Sequence, residues 1–126
     1  MELLADANWL GRLELEYRQN RIGPARKLLK KNRIWINPVV HCEVLSAGKN
    51  LIRREILHSL QWLEPMGYTI SALAADLRYR QSKKRKTLHT PDALIAATAI
   101  LEKKQLLTAD RDFSGIPGLK WSSYPE

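Results

Sequence analysis

The chain has 126 residues, 44% hydrophobic and 27% charged; that is enough for one globular domain with an unstapled core, and no apolar run reaches membrane-span length. With 21 Lys+Arg against 13 Asp+Glu the formal charge is +8, which favours nucleic acid as partner, with an anionic membrane surface a distant second. The lone Cys42 excludes an intramolecular disulfide and a cysteine-rich zinc site, fits a reducing cytosol, and reads as a small buried hydrophobe.

Short apolar strands alternate with helical stretches along the chain. The opening Met1–Asp6 has neither the basic n-region nor the small-residue cleavage site of a secretory signal, so a cytoplasmic protein is expected. Glu2–Ala5 reads as a buried strand ending at Asp6, and Asn8–Tyr17 as a helix with Trp9, Leu10, Leu13 and Tyr17 on one face. Gly23-Pro24 opens a second helix over Ala25–Lys31. Arg33–Asn37 reads as the second strand, ended by Pro38, and Val39–Ser46 as a helix stopped near Gly48. An amphipathic helix is expected over Leu51–Leu63 from the spacing of Ile52, Ile56, Leu60 and Leu63, with Pro65 and Gly67 ending it. Tyr68–Ile70 reads as the third strand and Ser71–Gln81 as the helix after it. Thr90-Pro91 is a good helix start, with Thr90 as N-cap and Pro91 at the first position. The helix over Asp92–Lys104 is apolar nearly all round and Ala-rich, so it should be buried against a sheet. Gln105–Thr108 is the fourth strand; Gly115-Ile-Pro-Gly118 turns into a terminal strand near Leu119–Trp121.

Strands separated by helices imply a mostly parallel sheet covered on both sides, with sites outside the carboxyl ends of the strands. Four acids fall at such ends or on the helices beside them: Asp6, Glu43, Asp92 and Asp110. Singly, each has an ordinary explanation. Asp6 suits an N-cap, Asp92 the first-turn dipole, Asp110 and Asp112 a solvated loop, and Glu43 an ion pair with an arginine. Together, carboxylates at apolar edges repel one another unless a cation lies between them, and all-oxygen ligands suit Mg²⁺ or Mn²⁺.

The residues that carry these acids resemble those of PIN-domain proteins, especially the small bacterial and archaeal ribonucleases typified by VapC toxins. The resemblance covers essentially the full length, 1–126, as a single PIN-like domain. It rests on Asp6-Ala7-Asn8 after an apolar strand, on Glu43, on Pro91-Asp92-Ala93-Leu94-Ile95-Ala96-Ala97, and on Thr108-Ala109-Asp110-Arg111-Asp112-Phe113. It implies an α/β fold, a three-layer α/β/α sandwich with a mostly parallel central sheet. It also implies that Asp6, Glu43, Asp92 and Asp110 hold one or two Mg²⁺ or Mn²⁺ ions, with Asp112 the alternative fourth acid. Two departures stand out. Ala7 replaces the Thr or Ser that often follows the first Asp in the family, leaving a hydroxyl contact missing or supplied by Asn8. Lys83-Lys84-Arg85-Lys86 replaces a Gly-containing turn before the third acid.

The resemblance therefore implies a metal-dependent endoribonuclease, the toxin of a toxin–antitoxin pair. RNA, with a structured RNA such as tRNA foremost, is the expected substrate; an antitoxin protein and a second copy of the chain are the expected partners. A catalytically inactive PIN-like RNA-binding protein is the alternative, and retention of all four acids argues against it. A phosphotransferase with an aspartyl nucleophile is weaker still, because its paired aspartate would fall on Asn8. His41, His58 and His89 are expected to take no catalytic part, and the four tryptophans to pack in the core or an interface. The basic stretch Arg78–Lys86 reads either as a solvated helix end or as a phosphate-contacting rim. Arg26, Lys27, Lys30, Lys31 and Arg33 form a second such cluster.

Overall fold

Runs of two or three apolar residues seed the sheet. The computed structural model describes residues 1–46, 54–63 and 67–124. In it Glu2–Ala5 forms β1, Arg33–Ile36 β2, Gln61–Trp62 β3, Gln105–Leu107 β4 and Trp121–Ser122 β5. All neighbouring strands are parallel, in the order β3-β2-β1-β4-β5. The central strand β1 aligns Leu4 with Trp35 on one side and with Leu106 on the other. Leu3, Leu4 and Ala5 are all buried, the continuous apolar pattern of a strand covered on both faces.

The helices are α1 (Ala7–Arg18), α2 (Pro24–Lys31), α3 (Pro38–Ser46), α4 (Arg54–His58), α5 (Tyr68–Lys83) and α6 (Thr90–Leu101). Connections from β1 through β2 to β3 step one way across the sheet, and the return from β3 to β4 steps the other way. Since parallel crossovers are right-handed, the two sets of helices cover opposite faces, which produces three layers. On one side α1 packs on α2 and α3; on the other α5 runs along α6. Ala93, Ala96, Ala97 and Ala99 are buried, so the short side chains of α6 let it lie close to its neighbours. Among the described residues no helix is long and apolar enough to cross a membrane.

Two predicted elements differ in kind from the observed ones. Tyr68–Ile70, read as the third strand, is the first turn of α5. The buried positions Ile70, Ala74, Leu77 and Gln81 follow helical spacing that begins inside that triplet, and a three-residue apolar run cannot distinguish the two states. The third strand instead lies within the segment read as a helix over Leu51–Leu63. There Trp35 aligns with Gln61, and the Leu63 amide donates to Ile36 O at 2.9 Å. Among the described residues that helix is observed over Arg54–His58, with Ile56 and Leu60 buried; Ile52, Gly48 and Pro65 lie outside the described residues. At α6, His89 and not Thr90 is the N-cap, without a side-chain bond, and Pro91 sits one position inside. That helix stops at Leu101 and not at Lys104, because Lys103 turns left-handed (φ 55°) and the Lys104 amide closes back on Ala99 O. The Gly115–Gly118 turn is as expected, with both glycines at positive φ (78° and 80°).

An acidic cluster at the carboxyl edge of the sheet

β1 and β4 end side by side, and the end of β1 delivers Asp6 to the rim. Its amide donates to Leu107 O at 3.2 Å, which ties the two strand ends together. The side chain then divides its oxygens. One caps α1 by accepting the Trp9 amide at 3.2 Å, and the other accepts the hydroxyl of Thr108. Thr108 is fully buried, and its Oγ1 in turn accepts the Asp110 amide at 3.0 Å. One threonine thus links the acid after β1 to the acid after β4. Asp110 starts a 3₁₀ turn at Arg111–Phe113 by accepting the Asp112 amide at 2.9 Å, and buried Phe113 anchors that turn.

The other two acids arrive on helices. Asp92 lies in the first turn of α6, and Glu43 lies on α3; both are half-buried. Asn37, completely buried at the end of β2, holds these helices in relation to each other. Its carbonyl oxygen caps α3 at the Val40 amide (2.9 Å), and its amide donates to Thr98 Oγ1 on α6 (3.1 Å).

The electrostatics join the four acids. Burial raises the carboxyl of Asp6 above its ordinary value; the bonds from Thr108 and Trp9 oppose the rise, and Asp110 adds to it. Burial also raises Glu43, and the negative charges of Asp92 and Asp6 raise it further. Asp92 is raised by burial, then by Asp110; His89 beside it pulls the other way, and Asp112 adds a smaller push. The acids placed apart in sequence thus sense one another in space. Asp110 acts on both Asp6 and Asp92, whereas the exposed Asp112 acts on Asp92 alone.

The donor set suits a hard divalent cation: all the donors are carboxylates, and none forms an ion pair among the described residues. Among those residues no three carboxylates are already arranged to clasp one ion. The four acids form a loose group linked by their electrostatics. The residues fit the metal in their donor chemistry.

Sequence reasoning assigned no role to Thr108 or Asn37. A threonine closing Leu-Leu-Thr two residues before an acid, and an asparagine closing Ile-Trp-Ile before proline, are the only signals they leave. A hydroxyl does reach Asp6, from Thr108 just past the end of β4, whereas Asn8 is exposed. Cys42 is likewise exposed, against the expectation of burial. It follows His41 on α3, and its sulfur lies 4.0 Å from Ser46 Oγ, one turn along the helix surface. Trp9 is in the core, whereas Trp35, Trp62 and Trp121 are only half-buried. His41 packs edge-on against Trp62 at 4.9 Å.

Of the two basic clusters, only the Arg78–Lys86 stretch borders the acids. Arg78 Nε donates to Leu88 O at 2.9 Å, and Lys84 Nζ to Gly115 O at 3.5 Å. These bonds tie its tip to the lead-in of α6 and to the loop beyond Phe113. Arg80 is held by Asp76 at 2.9 Å, while Lys83, Lys84, Arg85 and Lys86 are exposed. The second cluster is not equivalent to it. Lys30, Lys31 and Arg33 lie at the amino end of β2, where Arg33 aligns with Glu2, at the far end of β1 from Asp6.

The fold has close counterparts among solved structures. VapBC2 from Rickettsia felis bound to a DNA fragment from their promoter aligns with a TM-score of 0.76 and 23% identity, covering 99% of this chain and 100% of that one. A toxin–antitoxin complex from Klebsiella pneumoniae aligns at 0.69 and 27%, covering 93% and 94%. VapBC-1 from nontypeable Haemophilus influenzae aligns at 0.69 and 19%, covering 98% of each. No curated protein sequence matches the chain. The model of the PIN domain family matches residues 4–119, a span that runs from β1 to the loop before β5 and takes in all four acids. On that match the chain belongs to the PIN domain family.

Proposed function

We propose that the chain is a metal-dependent endoribonuclease, acting as one domain and serving as the toxin of a toxin–antitoxin pair. The observation that carries this reading is the convergence of Asp6, Glu43, Asp92 and Asp110, each of the first three with its carboxyl raised by burial and by its acidic neighbours. A bound Mg²⁺ or Mn²⁺ supplies a water of lowered pKa and polarises the phosphoryl oxygen. Asp6 and Asp92 would be its principal ligands, and Asp110 would complete the set, ahead of Asp112 because Asp110 acts on both of the others. Glu43 would orient the attacking water or hold a second ion. Thr108 steadies Asp6 and Asp110 through its hydroxyl, and Asn37 sets α3 against α6. The exposed lysines of the 83–86 tip take the phosphates of the flanking RNA, which adds affinity without sequence readout.

The aligned toxin–antitoxin complex supports a protein inhibitor as partner. In this reading the protein is cytoplasmic, works as a homodimer, cuts a structured RNA such as tRNA, and is silenced by an antitoxin segment laid over the acids. The test is cleavage of total and transfer RNA in Mg²⁺ or Mn²⁺, with the new RNA ends sequenced. Cleavage is expected to stop in excess EDTA and in Asp6→Asn and Asp92→Asn while circular dichroism shows a retained fold. Cleavage that persists in EDTA or in both variants rejects the assigned site.

A further inference from the structure

Asp110 is flanked by a cavity that the chemistry above does not use. Among the described residues it is lined by Ala109, Arg111, Trp121, Ser123 and Tyr124 and measures about 280 Å³. Both chain neighbours of Asp110 line it, and the strand that forms its other wall is bonded directly to the acidic cluster. Thr108, which holds Asp6 and Asp110, donates its amide to Ser122 O at 3.0 Å, and the next residue, Ser123, faces the cavity. Adjacent strands lie about 4.8 Å apart, so the cavity wall at Ser123 stands one strand over from Thr108, which bonds Asp6 and Asp110. Its volume falls just below the roughly 300–1,000 Å³ of drug-sized ligand sites, room for one nucleoside unit and not for a run of them.

The lining has the composition that recognises such a unit. Arg111 is exposed and absent from the ion pairs of the described residues. A guanidinium binds phosphate in a two-pronged fashion or stacks on a base. Trp121 is half-buried and supplies an aromatic wall, and aromatic walls are where unstacked RNA bases settle. Ser123 adds a hydroxyl that can donate or accept. Resting on the ribonuclease reading, we propose that this cavity is the subsite for the nucleotide next to the scissile bond. Arg111 engages its phosphate or base, and Trp121 packs against the base. The 83–86 lysines then hold the backbone without regard to sequence, while this cavity selects the base at one position.

The test digests a random-sequence RNA pool in Mg²⁺ with the full-length protein and reads the base frequencies around each cut. The wild type is expected to show a preference concentrated at one position beside the bond. Arg111→Ala and Trp121→Ala are expected to flatten that position and to raise KM about 10-fold, with the loss falling more on KM than on kcat. Trp121→Phe, which keeps an aromatic wall, is expected to restore most of the preference, and it serves as the folded control should Trp121→Ala fail to fold. A variant profile identical to the wild type, or a loss confined to kcat, overturns the subsite and assigns these residues to packing alone. An unbiased wild-type profile overturns it as well. Absence of any cleavage by the wild type rejects the ribonuclease reading itself, which separates that failure from failure of the subsite.

Discussion

Asp6 and Glu16 stand at the two ends of α1, and both are carboxylates withdrawn from water, at 5% and 0% exposure. Their surroundings differ in sign. Glu16 accepts three backbone amides that open α2, from Gly23 (2.9 Å), Ala25 (3.0 Å) and Arg26 (2.9 Å), and it has the Arg12 guanidinium at 3.8 Å. It is the anion that the amino end of a helix asks for. Gly23 leaves room for it; a Cβ there would lie 2.5 Å from Glu16 Oε2. Asp6 accepts from Trp9 and Thr108, and beyond those it faces other acids. A buried carboxylate surrounded by donors belongs to the structure. One that shares its space with other carboxylates is, in the proposed reading, the one that would hold a cation.

Substitutions at the two ends should separate these roles. Asp6→Asn should reduce RNA cleavage by at least about 100-fold while leaving the fold, and it should raise the melting temperature without metal, because one of four repelling charges is gone. Glu16→Ala should do the reverse. It strands three amides at the α2 N-terminus and should lower stability by about 3 kcal/mol in denaturant titration, with the folded fraction still active. Equal loss of activity and stability in both variants would erase the distinction.

Thr108→Val removes the link between the two strand ends while preserving shape. A loss of roughly 10-fold or more in activity or metal affinity is expected, with a stability change of only about 1 kcal/mol. An unchanged apparent metal affinity would mean that the strands alone position Asp6 and Asp110.

The pH dependence is the gentlest discriminator. Asp6, Glu43 and Asp92 have raised carboxyls, so above their ordinary values, near 4, the folded chain binds more protons than the unfolded one. Their contribution to stability therefore falls as pH rises through that interval, and it stays low above the raised values. Melts in EDTA between pH 4 and 8 should show this fall, and Mg²⁺ should offset it near neutrality. A metal-free stability that does not decline across this range in wild type relative to Asp6→Asn would argue that the acids are not crowded.

Local pattern alone determined much of this molecule. The apolar runs of β1, β2 and β4, the proline openings of α2 and α6, and the left-handed glycines near the end are local choices of neighbouring residues, so they are legible in order along the chain. So are the positions of the acids, because a charge at the end of an apolar run is conspicuous by itself. The tertiary structure decided what depends on partners distant in sequence. Gln61–Trp62 is a strand because the edge of β2 was open to it, and Tyr68–Ile70 is helical because the rest of α5 buries the same face. Thr108 and Asn37 join separate elements through partners 102 and 61 residues away. Whether an acid repels its neighbours or caps a helix is likewise a matter of distance, since desolvation and Coulomb energy depend on separation in space and not along the chain.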